Sequence, residues 1–113
     1  MHEVGIMQNT LAMAIAKAEA TGATRIHQLQ LQVGALSGVV PEALQFAFET
    51  LRQNTIAAEA LLDVEFIPAT CWCGACRSEF QSPDLLFECP KCGTLASELR
   101  RGRELHLKSV EVS

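Results

Sequence analysis

The 113 residues predict an α+β fold: a small mixed three-stranded sheet with two helices on one face, plus an inserted ribbon module that carries the cysteines. Three observations carry this. Two segments repeat apolar residues every three or four positions, the helical period. Three segments alternate apolar with polar side chains, the strand period. Between the second and third of these the periodicity stops and four cysteines fall in two pairs. With 49% hydrophobic and 19% charged residues, the composition is globular and the length suits one main core.

Residues 4–20 read as a helix, with Met7, Leu11, Ile15 and Ala18 on one face and alanines favouring the conformation. Thr21-Gly22 stops it, because glycine tolerates the left-handed geometry that closes many helices. From His27 to Val33, Leu29, Leu31 and Val33 alternate with Gln28, Gln30 and Gln32, a strand with one wet face. A loop from Gly34 to Val40 follows. Pro41-Glu42 opens the second helix, where the missing proline N–H costs nothing. Its apolar face is Leu44, Ala47, Phe48 and Leu51.

The second strand runs from Leu62 through Val64 to Phe66 and ends at Pro68. The third covers Arg103 to Val112, with a phase slip at Ser109 that suggests a bulge or a crossing to solvent. Residues 1–70 and 101–113 then form the main domain. Residues 71–100 form the inserted one, bordered near Thr70 and near Arg100-Arg101-Gly102.

Cys73-Gly-Ala-Cys76 and Cys89-Pro-Lys-Cys92-Gly93 are CxxC pairs separated by twelve residues. A CxxC turn brings two sulfurs to one cation, and two such turns supply four tetrahedral ligands at about 2.3 Å from zinc. Gly93 allows a bend that aims N–H groups at sulfur, and Pro90 stiffens the same turn. Four thiolates leave no open position, so the site reads as structural zinc, with rubredoxin-like iron as the competing metal. The fifth cysteine, Cys71, reads as a spare half-buried thiol or as a backup ligand. Trp72, the only tryptophan, covers the zinc turn or its junction with the main domain. Arg100, Arg101 and Arg103, flanked by Glu98 and Glu104, read as a solvated hinge.

The chain begins Met1-His2-Glu3. An N-terminal histidine is ordinarily only a solvated residue. Here the α-amine, the His2 amide nitrogen and the His2 imidazole can chelate one ion in successive five- and six-membered rings. A deprotonated amide is a strong-field donor that favours square-planar Ni(II) or Cu(II). Glu3, through its backbone nitrogen or its carboxylate, is the nearest fourth donor. An incomplete chelate of this kind binds a metal and lets it leave, which suits delivery. His27 and His106 each lie in a strand and read as packing or surface residues.

Other functions fit less well. Nine Lys and Arg against thirteen Asp and Glu give a net charge of −4, and the pI is near 5.3, so no long-range positive field draws nucleic acid. There is no Tyr and a single Trp for base stacking. A zinc-ribbon module that binds nucleic acid or another protein is the alternative reading. No enzyme is expected: Ser37 and Ser82 lack a base nearby, three histidines are scattered, and no glycine-rich phosphate loop is present. No apolar run approaches the roughly 20 residues of a membrane span. Leu11–Ala16 is too short, and no Lys or Arg precedes it, for an export signal. The expected location is therefore cytoplasmic, where cysteines stay reduced.

The start MHE, the stretch GALSGVVPEALQFAFE from Gly34 to Glu49, the pair CWCGAC and CPKCG, and the ending GRELHLKSVEV together resemble the HypA/HybF nickel chaperones of NiFe-hydrogenase maturation. The resemblance spans essentially the whole chain with the motifs in the family's order. It implies a non-catalytic carrier of Ni(II), held through Met1, His2 and Glu3 with His2 foremost, and structural Zn(II) held by Cys73, Cys76, Cys89 and Cys92. On this reading 1–70 with 101–113 is the nickel-binding α/β domain and 71–100 the zinc-binding domain. The implied partners are the nickel-binding GTPase of the same pathway and the hydrogenase large-subunit precursor, with urease served in some organisms. No nucleic acid and no membrane is implied. A homodimer is compatible with this reading.

Overall fold

The computed structural model describes residues 2–113. Its elements are helix α1 (His2–Ala20), strand β1 (Ile26–Gly34), helix α2 (Pro41–Leu51) and strand β2 (Leu61–Ile67). Short strands β3 (Thr70–Cys73), β4 (Ser78–Gln81) and β5 (Glu98–Arg101) follow, and β6 (Leu105–Val112) ends the chain. Two three-stranded sheets result, in the orders β2-β1-β6 and β4-β3-β5. The chain divides into two compact units. One comprises the residues up to Gln32, Val39–Glu65 and His106–Ser113; the other comprises Val33–Gly38 and Phe66–Leu105.

In the first unit α1 buries Met7, Leu11, Ala14 and Ala18. It closes in a Schellman motif: Ala23 N–H donates to Ala18 O (2.9 Å), Gly22 N–H donates to Glu19 O (3.0 Å), and Gly22 has φ of 79°. Helix α2 buries Leu44, Ala47 and Phe48 and packs against α1. Strand β1 buries Ile26, Leu29, Leu31 and Val33. Its glutamines form the polar side of the sheet, Gln30 donating to Asp63 (2.9 Å) and Gln32 to Glu65 (3.1 Å). These pairs advance in the same direction along both strands, so β1 and β2 run parallel. Such a connection needs a crossover, and α2 supplies it. The end of β6 returns to the start of β1, where Ser113 N–H donates to Arg25 O (3.0 Å), so that pair is antiparallel. The sheet is thus mixed, with two helices on its apolar face, as the periodicities predict.

The second unit holds regular structure where the sequence shows no period. Strand β3 pairs antiparallel with β4 (Cys71 opposite Phe80, Cys73 opposite Ser78) and with β5 (Cys71 opposite Leu99, Trp72 opposite Glu98). Each of these strands has four residues, too few for alternation to register. Arg100 and Arg101 belong to β5 and so are strand residues, in place of the expected hinge. The core of this unit is Cys71, Cys73, Phe80 and Cys89, with Phe87, Ala96 and Leu99 packed against it. Gly34 approaches Gly102 so closely that a Cβ on Gly34 would overlap the Gly102 carbonyl. Among the described residues no helix is long and apolar enough to cross a membrane.

Candidate metal centre

Each CxxC pair lies on a knuckle of the same design. In the first, Arg77 N–H donates to Cys73 O (2.7 Å) with Arg77 at φ 54°. In the second, Gly93 N–H donates to Cys89 O (2.8 Å) with Gly93 at φ 75°. The first knuckle leaves the end of β3; the second is held by Cys89 N–H to Thr94 O (2.9 Å) and Ala96 N–H to Phe87 O (2.8 Å).

The four sulfurs converge. Cys73 Sγ stands 3.6 Å from Cys92 Sγ and Cys76 Sγ stands 3.9 Å from Cys89 Sγ. All four lie within 4.8 Å of one another. Sulfurs placed about 2.3 Å from a central zinc at tetrahedral corners are about 3.8 Å apart, so the cluster fits one such ion. Cys73 and Cys89 are buried, and Cys76 and Cys92 face solvent.

The surroundings favour thiolate unevenly. The Thr94 hydroxyl (3.2 Å away), followed by its N–H, brings the Cys92 thiol down to about 6. The N–H groups of Cys92 and then Lys91 lower that of Cys89. Cys76 is pushed up to about 12 by sharing a proton with the neighbouring sulfurs, Cys92 foremost. The N–H groups aimed at sulfur therefore come from Lys91, Cys92 and Thr94, together with Cys76 N–H to Cys73 Sγ (3.3 Å). Gly93 shapes the turn and spends its own N–H on a carbonyl.

Cys71 lies two residues before Cys73 on β3, fully buried among apolar side chains and outside the four-sulfur cluster. Burial pushes its thiol up. Trp72 alternates with these cysteines along β3. The Arg100 guanidinium lies 4.2 Å over its ring, so the tryptophan stacks on a cation. Arg100 also meets Glu98 (2.9 Å) and Glu79 (3.8 Å), and Arg101 meets Glu79 (3.2 Å). Both guanidiniums pair with carboxylates, and Arg101 remains exposed. Ser82 is buried with its Oγ accepting Phe87 N–H (3.0 Å), a turn-building role. His27 Nε2 lies 2.7 Å from Ser113 Oγ, and His106 is exposed.

Met1 lies outside the described residues. His2 and Glu3 form the first turn of α1, with His2 Nε2 3.6 Å from Glu3 Oε2. The His2 side chain is 60% exposed and that of Glu3 only 9%. The first four N–H groups of a helix have no intrahelical acceptor, so deprotonating the His2 amide breaks no rung of the ladder. The positive end of the helix dipole favours that anion. Glu3 Oε2 accepts Val40 N–H (3.2 Å), and Val40 is the N-cap of α2, which has no side-chain cap of its own. This tie spans 37 positions, so no local sequence signal marks it. The Thr94 contact to Cys92 is the other feature missed, although a hydroxyl two residues past the last ligand is visible in the sequence.

A two-helix α/β unit and a cysteine-ribbon unit with a closed S4 cluster define a small metal-binding protein of two parts. The chain belongs to the HypA family: the family model described as "Hydrogenase/urease nickel incorporation, metallochaperone, hypA" matches residues 1–112. It is 50% identical to the hydrogenase maturation factor HypA of a Picosynechococcus species over 99% of both chains. It is 39% identical to that of Chloroflexus aggregans over 98% of both. The fold is also that of a HypA protein solved in solution, with TM-score 0.72 and 25% identity over 100% of this chain and 97% of that one. The solution structure of the Ni metallochaperone HypA from Helicobacter pylori gives TM-score 0.65 at 24% identity, covering 99% and 97%.

Proposed function

We propose that this chain is a non-catalytic carrier that delivers Ni(II) for maturation of NiFe-hydrogenase, with urease as the second recipient named in the family's description. The observation that carries this is the juxtaposition of an exposed His2 imidazole with a tethered Glu3 carboxylate in the first turn of α1, in a chain of this family. Nickel binds through the Met1 amine, the His2 amide and imidazole, and Glu3. Glu3 supplies the fourth donor through its backbone nitrogen or its carboxylate, which Val40 N–H tethers. The ring, standing clear of the body, is the donor that a partner can displace by ligand exchange.

Zinc is held separately by Cys73, Cys76, Cys89 and Cys92, where it ties the two knuckles together and supplies no reactivity. Residues 1–70 with 101–113 act as the nickel-binding part and 71–100 as the zinc-binding part. The donor is a cytoplasmic protein that meets the pathway's nickel-binding GTPase and the hydrogenase large-subunit precursor, and neither nucleic acid nor membrane takes part.

The test is elemental analysis of untagged protein after dialysis against Ni(II), wild type against His2→Ala. One zinc retained in both, and one nickel present only in the wild type, is the expected outcome. Nickel bound equally by His2→Ala, or by protein with an acetylated N-terminus, overturns the N-terminal site.

A further inference from the structure

The second unit carries a groove that the four-sulfur cluster does not use. About 430 Å³ of space is lined by Leu36, Cys71, Phe87, Ala96, Leu99 and Arg103, all of them in this one unit. Phe87, Ala96 and Leu99 are half-buried and packed on the unit's core. Leu36 is half-buried too, and its N–H donates to Gly102 O (2.7 Å). A second hollow of about 260 Å³ shares Leu99 and Arg103 and adds Arg100, Arg101 and Glu104. The apolar walls therefore give onto a cationic end.

Charge says what the groove can take. Glu98 holds Arg100 (2.9 Å) and Glu79 holds Arg101 (3.2 Å), while Glu104 Oε1 accepts Gly102 N–H (2.8 Å). Arg103 is exposed and has no ion-pair partner among the described residues. Of the three guanidiniums it is the one left for an incoming anion. The backbone gives a second sign. Leu85 and Phe87 lie at φ 60° and 61°, where bulky side chains are rare, and Leu86 between them is 61% exposed. Phe87 is kept there by its N–H to Ser82 Oγ (3.0 Å) and by Ala96 N–H to its carbonyl (2.8 Å). Strained residues held by built partners cluster at ligand clamps, and the residue held here is a wall of the groove.

We propose that this groove binds an extended segment of a partner protein in which an Asp or Glu adjoins aliphatic side chains. The aliphatic groups lie against Leu36, Phe87, Ala96 and Leu99, and the carboxylate takes the forked N–H groups of Arg103. A lysine in the same place meets like charge and is rejected. The test is selection, on the zinc-loaded full chain, from a library of acetylated and amidated hexapeptides randomised over Asp, Glu, Lys, Ser, Leu and Val. Acidic residues beside Leu or Val should be enriched, and added salt should weaken the selected peptide. Its binding should move the amide NMR signals of Leu36, Phe87, Ala96, Leu99 and Arg103. Arg103→Glu should weaken it about tenfold or more, whereas Arg25→Glu, the same charge change in the other unit, should leave it within about twofold. Replacing the peptide's carboxylate by its amide should weaken binding to the wild type and not to Arg103→Glu, the coupling expected of a direct pair. Thermal melts confirm that each variant is folded. No enrichment, enrichment of lysine, an affinity unmoved by Arg103→Glu, or signals that move only outside the groove would each overturn the proposal.

Discussion

Arg77 and Gly93 do the same job with different chemistry. Each follows the second cysteine of its pair, each sits at positive φ, and each returns its N–H to the first cysteine's carbonyl. A non-glycine residue in the left-handed region costs about 1–2 kcal/mol. Nothing lies within 4 Å of a Cβ built on Gly93, so Gly93→Ala should lose about 1 kcal/mol through backbone strain alone. Arg77→Gly should recover part of the strain stored in the first knuckle. Denaturant unfolding of the zinc-loaded protein measures both, and equal stability of all three forms would contradict the shared-knuckle account. Glu3 shows the same economy, serving the start of α2 while flanking His2. Glu3→Ala leaves the Val40 N–H without its acceptor, whereas Glu3→Gln keeps an oxygen in place. The alanine variant should melt earlier than the glutamine variant, a difference visible by circular dichroism without nickel.

The strands are where polar pairing can be read by pH. Glu65 accepts from Gln32 and from Lys108, and these bonds, Gln32 first, hold its carboxyl below the usual range. A depressed carboxylate adds stability that is complete above its unfolded value and is lost as pH falls through the folded one. The contribution therefore disappears only in acid, below the ordinary glutamate pKa of about 4.3. Gln32→Ala should move the Glu65 midpoint upward in an NMR titration, and an unmoved midpoint would assign the shift to Lys108. The turn between β1 and α2 depends on a close approach of a different kind. Because Gly34 lies directly against Gly102, Gly34→Ala must push two backbones apart at a cost of about 3 kcal/mol. A loss below about 0.5 kcal/mol in denaturant unfolding would show that the approach is not required.

For the molecule as a whole, the two units have different sources of order. The first has an apolar core of helix and strand residues, including Met7, Leu29, Leu31 and Phe48. The second has a core in which three of the four buried residues are cysteines, two of them in the four-sulfur cluster. Metal binding there should couple to folding, because two of the four ligands, Cys73 and Cys89, are part of the unit's core. Chelation of zinc should abolish the tryptophan signal set by the Trp72–Arg100 stack while leaving the far-ultraviolet signal of α1 and α2 largely intact. A single cooperative collapse of both signals would show that the units do not keep independent stability.

The sequence by itself determined the elements with enough residues to repeat a period: both helices, β1, β2 and β6, and the sidedness of β1; in β2 the apolar alternation misplaces Phe66, which is 56% exposed. It also determined the four cysteines, because CxxC spacing is a local constraint that metal geometry imposes on a turn. Even the phase slip in β6 was legible, in Leu107, Val110 and Val112. What only the tertiary structure decided are the meetings of residues distant along the chain. The four-residue strands β3, β4 and β5 are defined by pairing and not by pattern. Trp72 stacks with Arg100, and Glu3 is tied to Val40. Periodicity and ligand spacing are written in neighbouring residues, whereas a hydrogen bond across 37 positions depends on where folding brings its two ends.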